Sequence, residues 1–336
     1  MSGSVGVIGG GAWGTALAMN ARRAGNDVLL WAYESDTVEA INTRHENPVF
    51  LPGVQLDPAI RATCEIIHAA DQDIVLLVMP SAHFREIVAG MPGLFPLGAI
   101  ACVCTKGIEA GTGNLMTEIA AEELPGEHIA ALSGPSFAAD VARDLPTAVT
   151  VAGEGNTPAR LAEALSSRNF RVYQSDDLVG IEIGGAVKNV IAIACGIAMG
   201  RGLGDNARAA LISRGLAEIV RLGVALGGRP ETLMGLSGLG DLVLTATGEK
   251  SRNYTTGLEL GRGRSFAAIM ANRRSVVEGA VAAPAVLALA RRHGIEMPIC
   301  AAVDEVLAGR LTVDDAVASL MMRPAGSEFD FAAGAA

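Results

Sequence analysis

The sequence predicts an α/β domain with a doubly wound, mostly parallel sheet over residues 1–178, followed by an all-helical domain over residues 179–324. Short apolar runs alternate with helical patterns in the first half, whereas long helical stretches dominate the second. A length of 336 residues also suits about two domains. The chain is half hydrophobic, rich in glycine and only 4% aromatic, which is typical of closely packed helices and sheets.

The first elements are a strand at Val5–Ile8, the turn GGGAWG at 9–14, a helix ending at Gly25 and a strand at Val28–Trp31. This order is the context in which a glycine-rich turn can hold a dinucleotide. The elements therefore predict the start of a Rossmann-like sheet.

The glycine spacing in this turn is Gly9-x-Gly11-x-x-Gly14. Gly9 would allow the tight turn, Gly11 would let the backbone approach a pyrophosphate, and Gly14 would let the helix pack closely. The alternative is a tight turn that binds no ligand.

The end of the second strand bears on the choice of dinucleotide. Tyr33 and Glu34 lie where an acidic side chain would hold the ribose hydroxyls. A carboxylate at position 34 would repel a 2′-phosphate, so Glu34 favours NAD over NADP. The alternative is that Glu34 simply faces solvent.

Further strands are predicted from continuous apolar runs at Ile74–Met79, Ile100–Cys104, Ile129–Leu132 and Thr147–Val151, with an edge strand at Val172–Gln174. Helices are expected near 37–43, 83–90, 114–123 and 137–143. Ligands of such sheets bind beyond the carboxyl ends of the strands. The glycine turn, Pro80-Ser81, Lys106 and Ser133–Ser136 are therefore expected to meet at one edge.

The second domain is predicted to be helical over 181–199, 206–226, 231–236, 255–263, 279–293, 299–308 and 312–320. The boundary is expected between Gly153 and Val179. The last residues, 325–336, are small and polar, so we expect them to form a disordered tail.

Composition excludes several classes of partner and site. A net charge of −10 argues against broad nucleic-acid or acidic-membrane binding. The five cysteines are odd in number, and we interpret them as reduced, buried thiols of a cytoplasmic protein. No Cys/His arrangement indicates a metal site. The apolar N-terminal segment lacks a basic leader, so no signal peptide is predicted.

Lys188 is the only charged residue in the eighteen-residue run Ile183–Gly200. The run approaches membrane-spanning length, but Lys188 and Asn189 near its middle favour a buried helix over a span. An ammonium inside an apolar helix is unfavourable unless it is paired, and such a lysine suits acid–base chemistry. The alternative is a side chain that reaches solvent from the edge of the helix.

Polar clusters interrupt the helical domain at 184–189, 236–245, 251–253 and 276–279. Taken singly, Asp241 is explained as an N-cap and 251–253 as a solvated loop. Taken together, they suit the reduction of a carbonyl in an anionic substrate. Lys188 would supply the proton, Asp241 would orient it, and Arg252 would bind a phosphate.

These segments resemble bacterial NAD(P)-dependent glycerol-3-phosphate dehydrogenases from the glycine turn to Arg323. The resemblance is carried by GGGAWGTALA, TKGIE, SGPSFA, LPTAV, GGAVKNVIAIACG, NARAALI-RGLAE with Ser213 at the gap, GLGDLVLTATGEKSRN and VVEG. It implies a C-terminal domain like that of 6-phosphogluconate dehydrogenase. It also implies reversible reduction of dihydroxyacetone phosphate to sn-glycerol 3-phosphate with NAD(H) or NADP(H), for glycerophospholipid synthesis in the cytoplasm, and a homodimer.

The resemblance implies Lys188 as the proton donor and acceptor, with Asp241 and Lys106 as further catalytic residues. The residues implied to contact substrate or its polar surroundings are Lys106, Gly134, Ser136, Lys188, Asn189, Asp241, Thr245, Ser251, Arg252 and Asn253. The residues expected to bind the cofactor are Gly9, Gly11, Ala12, Trp13, Gly14, Tyr33, Glu34, Lys106, Ala138, Arg252, Val276 and Glu278.

Two positions depart from the family pattern. Ala12 stands where many relatives have serine, so a contact there would come from the backbone N–H. Glu34 stands where some relatives have a basic residue. Two other functions stay open: a 3-hydroxy acid dehydrogenase of the same architecture, and a non-catalytic NAD sensor.

Overall fold

The computed structural model describes residues 3–271 and 276–324. The chain forms two compact units, Met1–Lys106 with Leu115–Ile181, and Gly107–Asn114 with Glu182–Ala336. Segment 107–114 thus groups with the helical unit, although it lies within the predicted first domain. The predicted disordered tail, 325–336, lies outside the described residues.

The first unit is built on an eight-stranded sheet whose strand order is β10-β9-β8-β7-β6-β1-β2-β5. Every neighbouring pair is parallel except β8 and β9, so the mostly parallel prediction is confirmed. A separate hairpin joins β3 to β4. The strands are β1 Ser4–Ile8, β2 Asp27–Trp31, β3 Glu46–Asn47, β4 Leu51–Gln55, β5 Arg61–Thr63, β6 Ile74–Leu77, β7 Ile100–Val103, β8 His128–Ser133, β9 Thr147–Gly153 and β10 Phe170–Ser175.

Helices cover both faces of this sheet, as alternation along the buried strands requires. In β6, Leu76 belongs to the core that contains Leu17 and Leu161, whereas Leu77 belongs to the opposite core with Phe84. The helices are α1 Ala12–Arg23, α2 Ser35–Arg44, α3 Ile66–Ala70, α4 Phe84–Val88, α5 Met116–Glu123, α6 Ala138–Ala142 and α7 Thr157–Leu165, with a 3₁₀ turn at Ser81–His83.

The second unit is helical. Its helices are α8 Leu178–Gly200, which begins in the first unit, α9 Gly204–Ala225, α10 Pro230–Leu233, α11 Asp241–Thr247, α12 Arg252–Gly261, α13 Phe266–Met270, α14 Glu278–Arg292, α15 Pro298–Leu307 and α16 Val313–Met321. A π-helical turn at Leu236–Gly240 precedes α11. The helix predicted over 231–236 is wrong at its end, because extended backbone at Gly235 ends it before the π turn.

Helix α8 is the longest helix among the described residues. Among the described residues it is the one helix that is long and apolar enough to cross a membrane. However, 89% of its most apolar 18-residue stretch is buried inside the protein. It packs against α12 through glycines that bring the two backbones together. A Cβ atom on Gly196 would lie 2.1 Å from the carbonyl oxygen of Tyr254, and one on Gly257 would lie 2.1 Å from that of Ile193. Only glycine allows this approach.

The cysteines are all free thiols. Four are buried, at 102, 104, 195 and 300, whereas Cys64 is exposed. The prediction that all five are buried is therefore wrong for Cys64, which follows the short edge strand β5 instead of lying in an apolar run. Burial raises the pKa of the Cys195 thiol to about 12, which keeps that thiol protonated and unreactive.

Candidate active site

Lys188 is buried on α8 and paired inside the helical unit. Its Nζ donates to Asp241 Oδ1 at 2.5 Å and to Thr245 Oγ1 at 3.0 Å. The side chains of Lys188 and Asp241 are only 9% and 1% exposed. The alternative in which the ammonium extends into solvent is therefore wrong. The arrangement fixes the direction of the Lys188 ammonium.

The π turn places Asp241 opposite Lys188. Gly184 lies one helical turn before Lys188, and a Cβ atom there would lie 2.6 Å from the carbonyl oxygen of Ser237. The turn therefore rests directly on α8. The Gly240 N–H donates to the Gly235 carbonyl at 3.0 Å, and Asp241 follows as the first residue of α11. Gly240 occupies the N-cap, so the N-cap explanation of Asp241 is wrong.

Thr245 contacts both Lys188 and the backbone of Asp241. It lies one turn after Asp241 on α11, and its hydroxyl donates to the Asp241 carbonyl at 2.6 Å. The hydroxyl proton is thus committed to the backbone, and the oxygen lone pairs face the Lys188 ammonium. Thr245 is therefore a fixed acceptor for the Lys188 ammonium.

Asn189 contacts a second cluster. Its Oδ1 accepts from Asn253 Nδ2 at 2.9 Å, and its Nδ2 donates to Glu278 Oε2 at 3.2 Å. Asn253 Oδ1 in turn accepts the Gly279 N–H at 2.9 Å. Two consecutive residues of α8 therefore contact different helices, Lys188 meeting α11 while Asn189 meets α12 and α14.

Residues 251–253 begin helix α12 rather than forming a solvated loop. The Ser251 hydroxyl caps the helix by accepting the Tyr254 N–H at 3.2 Å, and Ser251 and Asn253 are buried. Arg252 between them is half-exposed, with its guanidinium 3.6 Å from Glu278 Oε1. Arg252 therefore presents its charge to solvent in the first turn of the helix. Val276, another predicted cofactor residue, is exposed just before α14.

At the carboxyl edge of the sheet, the first unit brings together three of the predicted substrate residues. Lys106 follows β7, and its Nζ donates to the Gly134 carbonyl at 3.4 Å. Ser136 Oγ donates to the same carbonyl at 3.0 Å. Ala138 begins α6 immediately afterwards. Because β1, β6, β7 and β8 are parallel neighbours, the loops after them share this edge.

The glycine turn has the geometry that a dinucleotide requires. Gly9 has φ +135°, and a Cβ atom there would lie 2.7 Å from the Val78 carbonyl oxygen. A Cβ atom on Gly14 would lie 1.9 Å from the Gly9 carbonyl oxygen, whereas one on Gly11 would meet no atom within 4 Å. The turn is thus tight, packed behind and open at Gly11, where α1 begins with Ala12 and Trp13. The residues present fit a pyrophosphate at the start of α1.

Beyond β2, Tyr33 and Glu34 are exposed, and Glu34 is the N-cap residue of α2. Two arginines that precede Glu34 in the sequence, Arg22 and Arg23, hydrogen-bond backbone carbonyls elsewhere. Arg22 donates to the Asn26 carbonyl at 2.9 Å, and Arg23 donates to the Val141 carbonyl at 2.8 Å. Both lie in the last turn of α1, at the opposite end of that helix from the glycine turn.

Sequence reasoning did not select Asn47, which lies in the β3–β4 hairpin and hydrogen-bonds the glycine turn. Gly184 was named from the sequence only as the start of the polar cluster 184–189, although two adjacent glycines in an apolar helix signal a close approach. Among residues 3–271 and 276–324, no group of three or more His, Cys, Asp or Glu side chains is placed to hold a metal ion.

Comparison with known proteins agrees with both units. Residues 4–159 match the profile of the NAD-dependent glycerol-3-phosphate dehydrogenase N-terminus, and residues 177–318 match that of its C-terminus. The chain is 54% identical over 322 residues to a glycerol-3-phosphate dehydrogenase [NAD(P)+] from Maricaulis maris, covering 96% of this chain and 97% of that protein.

A second relative, the protein of that name from Rhodospirillum rubrum, is 55% identical over 322 residues and matches 95% of this chain and 92% of its own length. The crystal structure of a glycerol-3-phosphate dehydrogenase from Coxiella burnetii is 41% identical. It superposes with a TM-score of 0.90 over 96% of this chain and 99% of that one. The chain belongs to the family of NAD-dependent glycerol-3-phosphate dehydrogenases.

Proposed function

We propose that this chain reduces dihydroxyacetone phosphate to sn-glycerol 3-phosphate, reversibly, with Lys188 as the proton donor to the oxygen at C2. The observation that carries the proposal is the buried Lys188 ammonium held by Asp241 and Thr245. A carbonyl that accepts a hydride develops negative charge on its oxygen, and a fixed ammonium stabilises that charge and then protonates it.

Bound NAD(P)H supplies the hydride that forms the new C–H bond at C2. Lys188 gives up the proton that forms the new O–H bond, and in the oxidative direction its amine takes that proton back. Asp241 stabilises the ammonium form and fixes its direction, since a charged hydrogen bond is stronger than a neutral one. Thr245 limits the rotation of the ammonium about the end of the side chain.

Substrate binding in this proposal uses the remaining cations. Arg252 is a planar, permanently charged group suited to phosphate, and it begins helix α12. Lys106, with Gly134 and Ser136 beside it, would contact the polar part of the substrate. Lys106 is a further catalytic residue in this scheme because its charge also stabilises the developing oxyanion.

The cofactor in this proposal is held by the glycine turn, with NAD(H) preferred over NADP(H). The exposed Glu34 carboxylate follows β2, whereas Arg22 and Arg23 lie at the far end of α1 and make other contacts. A 2′-phosphate near this carboxylate would be repelled. Ala12, Trp13, Tyr33, Ala138, Val276 and Glu278 complete the proposed cofactor set.

The proposal extends to the cellular role and the assembly. The product would serve glycerophospholipid synthesis in the cytoplasm, a reducing compartment that suits five free thiols. A homodimer is proposed as the functional form. Sedimentation of the purified protein at assay concentrations would test this form, and a monomer of full activity would contradict it.

One assay separates the three functions that the sequence left open. Oxidation of NADH and of NADPH is followed with dihydroxyacetone phosphate and, separately, with 3-keto acids. We expect turnover with dihydroxyacetone phosphate, and faster turnover with NADH. Turnover with 3-keto acids alone would indicate the 3-hydroxy acid dehydrogenase. Binding of NADH without oxidation in either mixture would indicate a sensor.

A further inference from the structure

Asn47, at the end of strand β3, hydrogen-bonds the glycine turn from 37 residues further along the chain. It has no exposed surface. Its Nδ2 donates to the Gly10 carbonyl at 2.8 Å and to Thr15 Oγ1 at 2.9 Å. The Thr15 hydroxyl donates in turn to the Gly11 carbonyl at 2.9 Å. The Asn47 amide thus contacts both ends of segment 10–15, in which helix α1 begins.

The orientation of this amide is itself fixed. Asn47 Oδ1 accepts the Phe50 N–H at 3.2 Å, across the turn that joins β3 to β4. Exchanging the amide oxygen and nitrogen would place an oxygen against the Gly10 carbonyl and an N–H₂ group against the Phe50 N–H. The hairpin therefore presents Nδ2 to the glycine turn as a donor.

The consequence for the turn follows from the geometry of the peptide unit. The Gly10 carbonyl and the Gly11 N–H belong to one planar trans peptide, so they point in opposite directions. With the carbonyl held by buried Asn47, the Gly11 N–H points away from the hairpin. Glycine on both sides would otherwise let this peptide rotate with little steric hindrance. The space at Gly11 is open, since a Cβ atom there would meet no atom within 4 Å.

We propose that Asn47 is a positioning residue for the dinucleotide: it locks the Gly10–Gly11 peptide so that the N–H, and not the carbonyl oxygen, faces the pyrophosphate. A backbone N–H at the start of a helix is the donor that an anionic phosphate needs. In the rotated peptide, an oxygen with a partial negative charge would take its place. This inference rests on the dinucleotide site proposed above.

The test compares Asn47→Ala with a matched control, Asn42→Ala. The Asn42 amide also holds backbone, donating to and accepting from Ala62 at 2.9 Å, but it joins α2 to β5 and does not contact the glycine turn. Both variants lose two or more amide hydrogen bonds, so both are expected to unfold more easily. Only Asn47→Ala is expected to raise the Kd for NADH, by about tenfold or more.

A second variant, Asn47→Asp, preserves the shape of the side chain and the Oδ1 acceptor for Phe50 but removes the donor to Gly10. It is expected to weaken NADH binding at least as much as Asn47→Ala. The Kd is measured by NADH fluorescence. At saturating NADH, kcat and the KM for dihydroxyacetone phosphate should stay within about twofold of wild type, because the lock acts on cofactor binding alone.

Equal Kd values in wild type and both folded Asn47 variants would overturn the proposal. So would equal weakening in Asn42→Ala, or loss of folding in both Asn47 variants but not in the control. The reaction itself is judged on the wild-type protein. NADH binding that depends on Asn47 in a chain that does not reduce dihydroxyacetone phosphate would refute the proposed function and leave this inference standing.

Discussion

Two ion pairs of the helical unit differ in burial. The buried pair suits proton transfer, and the exposed pair suits ligand binding. Lys188 and Asp241 meet at 2.5 Å with side chains 9% and 1% exposed. Arg252 and Glu278 lie 3.6 Å apart with side chains 54% and 48% exposed. The first pair is held inside the protein by two helices, whereas the second is loose and solvated.

A buried pair is unfavourable to desolvate and is often no more stable than an apolar replacement, so its presence calls for a functional explanation. Proton transfer supplies one, because it needs a donor in a single direction away from bulk water. An exposed pair contributes only about 0–1 kcal/mol. Arg252 can therefore exchange Glu278 for a phosphate at little cost, which suits a binding residue.

The largest expected effect comes from Lys188→Ala. Removing the proton donor should lower kcat by about 10³-fold or more, on the scale of general acid–base catalysis. The Kd for NADH should stay within about twofold of wild type, because the glycine turn is left intact. Steady-state NADH oxidation with dihydroxyacetone phosphate and a separate NADH titration measure the two quantities.

The control for Lys188→Ala also removes the Asp241 carboxylate, which that variant leaves buried without its partner. Asp241 alone inside the unit would destabilise the fold, so the double variant Lys188→Met with Asp241→Asn provides a neutral pair of similar size. It should fold and bind NADH but remain inactive. Near-wild-type kcat in either folded variant would rule out Lys188 as the proton donor.

The next effect tests the two pairs directly, through Asp241→Asn and Glu278→Gln. Asp241→Asn should lower kcat by about 10²-fold and unfolding stability by about 3 kcal/mol, because it leaves a buried ammonium without its carboxylate. Glu278→Gln should change kcat by less than about threefold, since its pair is exposed. Similar losses of kcat in both variants would break the distinction between a catalytic and a binding pair.

The third prediction concerns Arg252. Arg252→Ala should raise the KM for dihydroxyacetone phosphate by about 10- to 100-fold with a smaller fall in kcat, as expected for a phosphate contact. The matched control is Arg262→Ala, because Arg262 is exposed beyond the other end of α12 and pairs with Glu259. An unchanged KM in Arg252→Ala, or an equal rise in the control, would exclude the phosphate contact.

Much of the fold could be predicted from sequence, because the signals are local. Continuous apolar runs marked strands β1, β2, β6 and β7, and the glycine spacing marked the turn before α1. Lys188 stood out because it is one charge in a long apolar run. In each case the residues that carry the signal are neighbours in the chain.

What the sequence could not provide depends on contacts between distant segments. Asn47 is an ordinary polar residue until the β3–β4 hairpin folds back on Gly10. The π turn before Asp241 packs against Gly184, which is about fifty residues away in the chain. Asn253 was predicted to bind substrate, yet both ends of its amide contact protein groups, Asn189 and Gly279. The adjacent glycines at 184 and 185 mark a close approach, but no local pattern encodes which segment makes it.

A smaller effect is expected from Glu34→Arg, which tests an exposed charge in the other unit. Replacing the carboxylate by a guanidinium removes repulsion and adds a partner for the 2′-phosphate. The ratio of kcat/KM for NADPH to that for NADH should rise by about tenfold or more. Asp36→Arg, at an exposed position in the first turn of α2, controls for the added charge. A ratio that does not move, or moves equally in the control, would refute the role of Glu34.

The smallest effect on turnover is expected from a substitution of Glu218. This residue tests whether a buried carboxyl needs a cation beside it. It is buried on α9, and it accepts the Ile299 and Cys300 N–H groups at 2.6 and 3.2 Å. Burial raises the pKa of this carboxyl to about 7, although the hydrogen bonds from α15 act in the opposite direction. Where Asp241 has Lys188 in direct contact, Glu218 has the start of α15, the Cys300 thiol and the electrostatic influence of Arg221.

The sign of the pH effect follows from proton linkage. The pKa of Glu218 rises from 4.5 in the unfolded chain to about 7 in the folded one, so the folded protein holds the proton more tightly. Its contribution to stability is complete below pH 4.5 and is lost as the pH rises to about 7, a change of about 3 kcal/mol.

Glu218→Gln should remove this dependence of stability on pH. The unfolding free energy of the variant relative to wild type, measured in urea, should therefore rise between pH 5 and pH 7.5. Glu231→Gln, at an exposed position on α10, should not. If the difference between wild type and Glu218→Gln is the same at both pH values, then the start of α15 stabilises the charged carboxylate as well as a lysine would, and burial alone does not decide which carboxyl needs a cation.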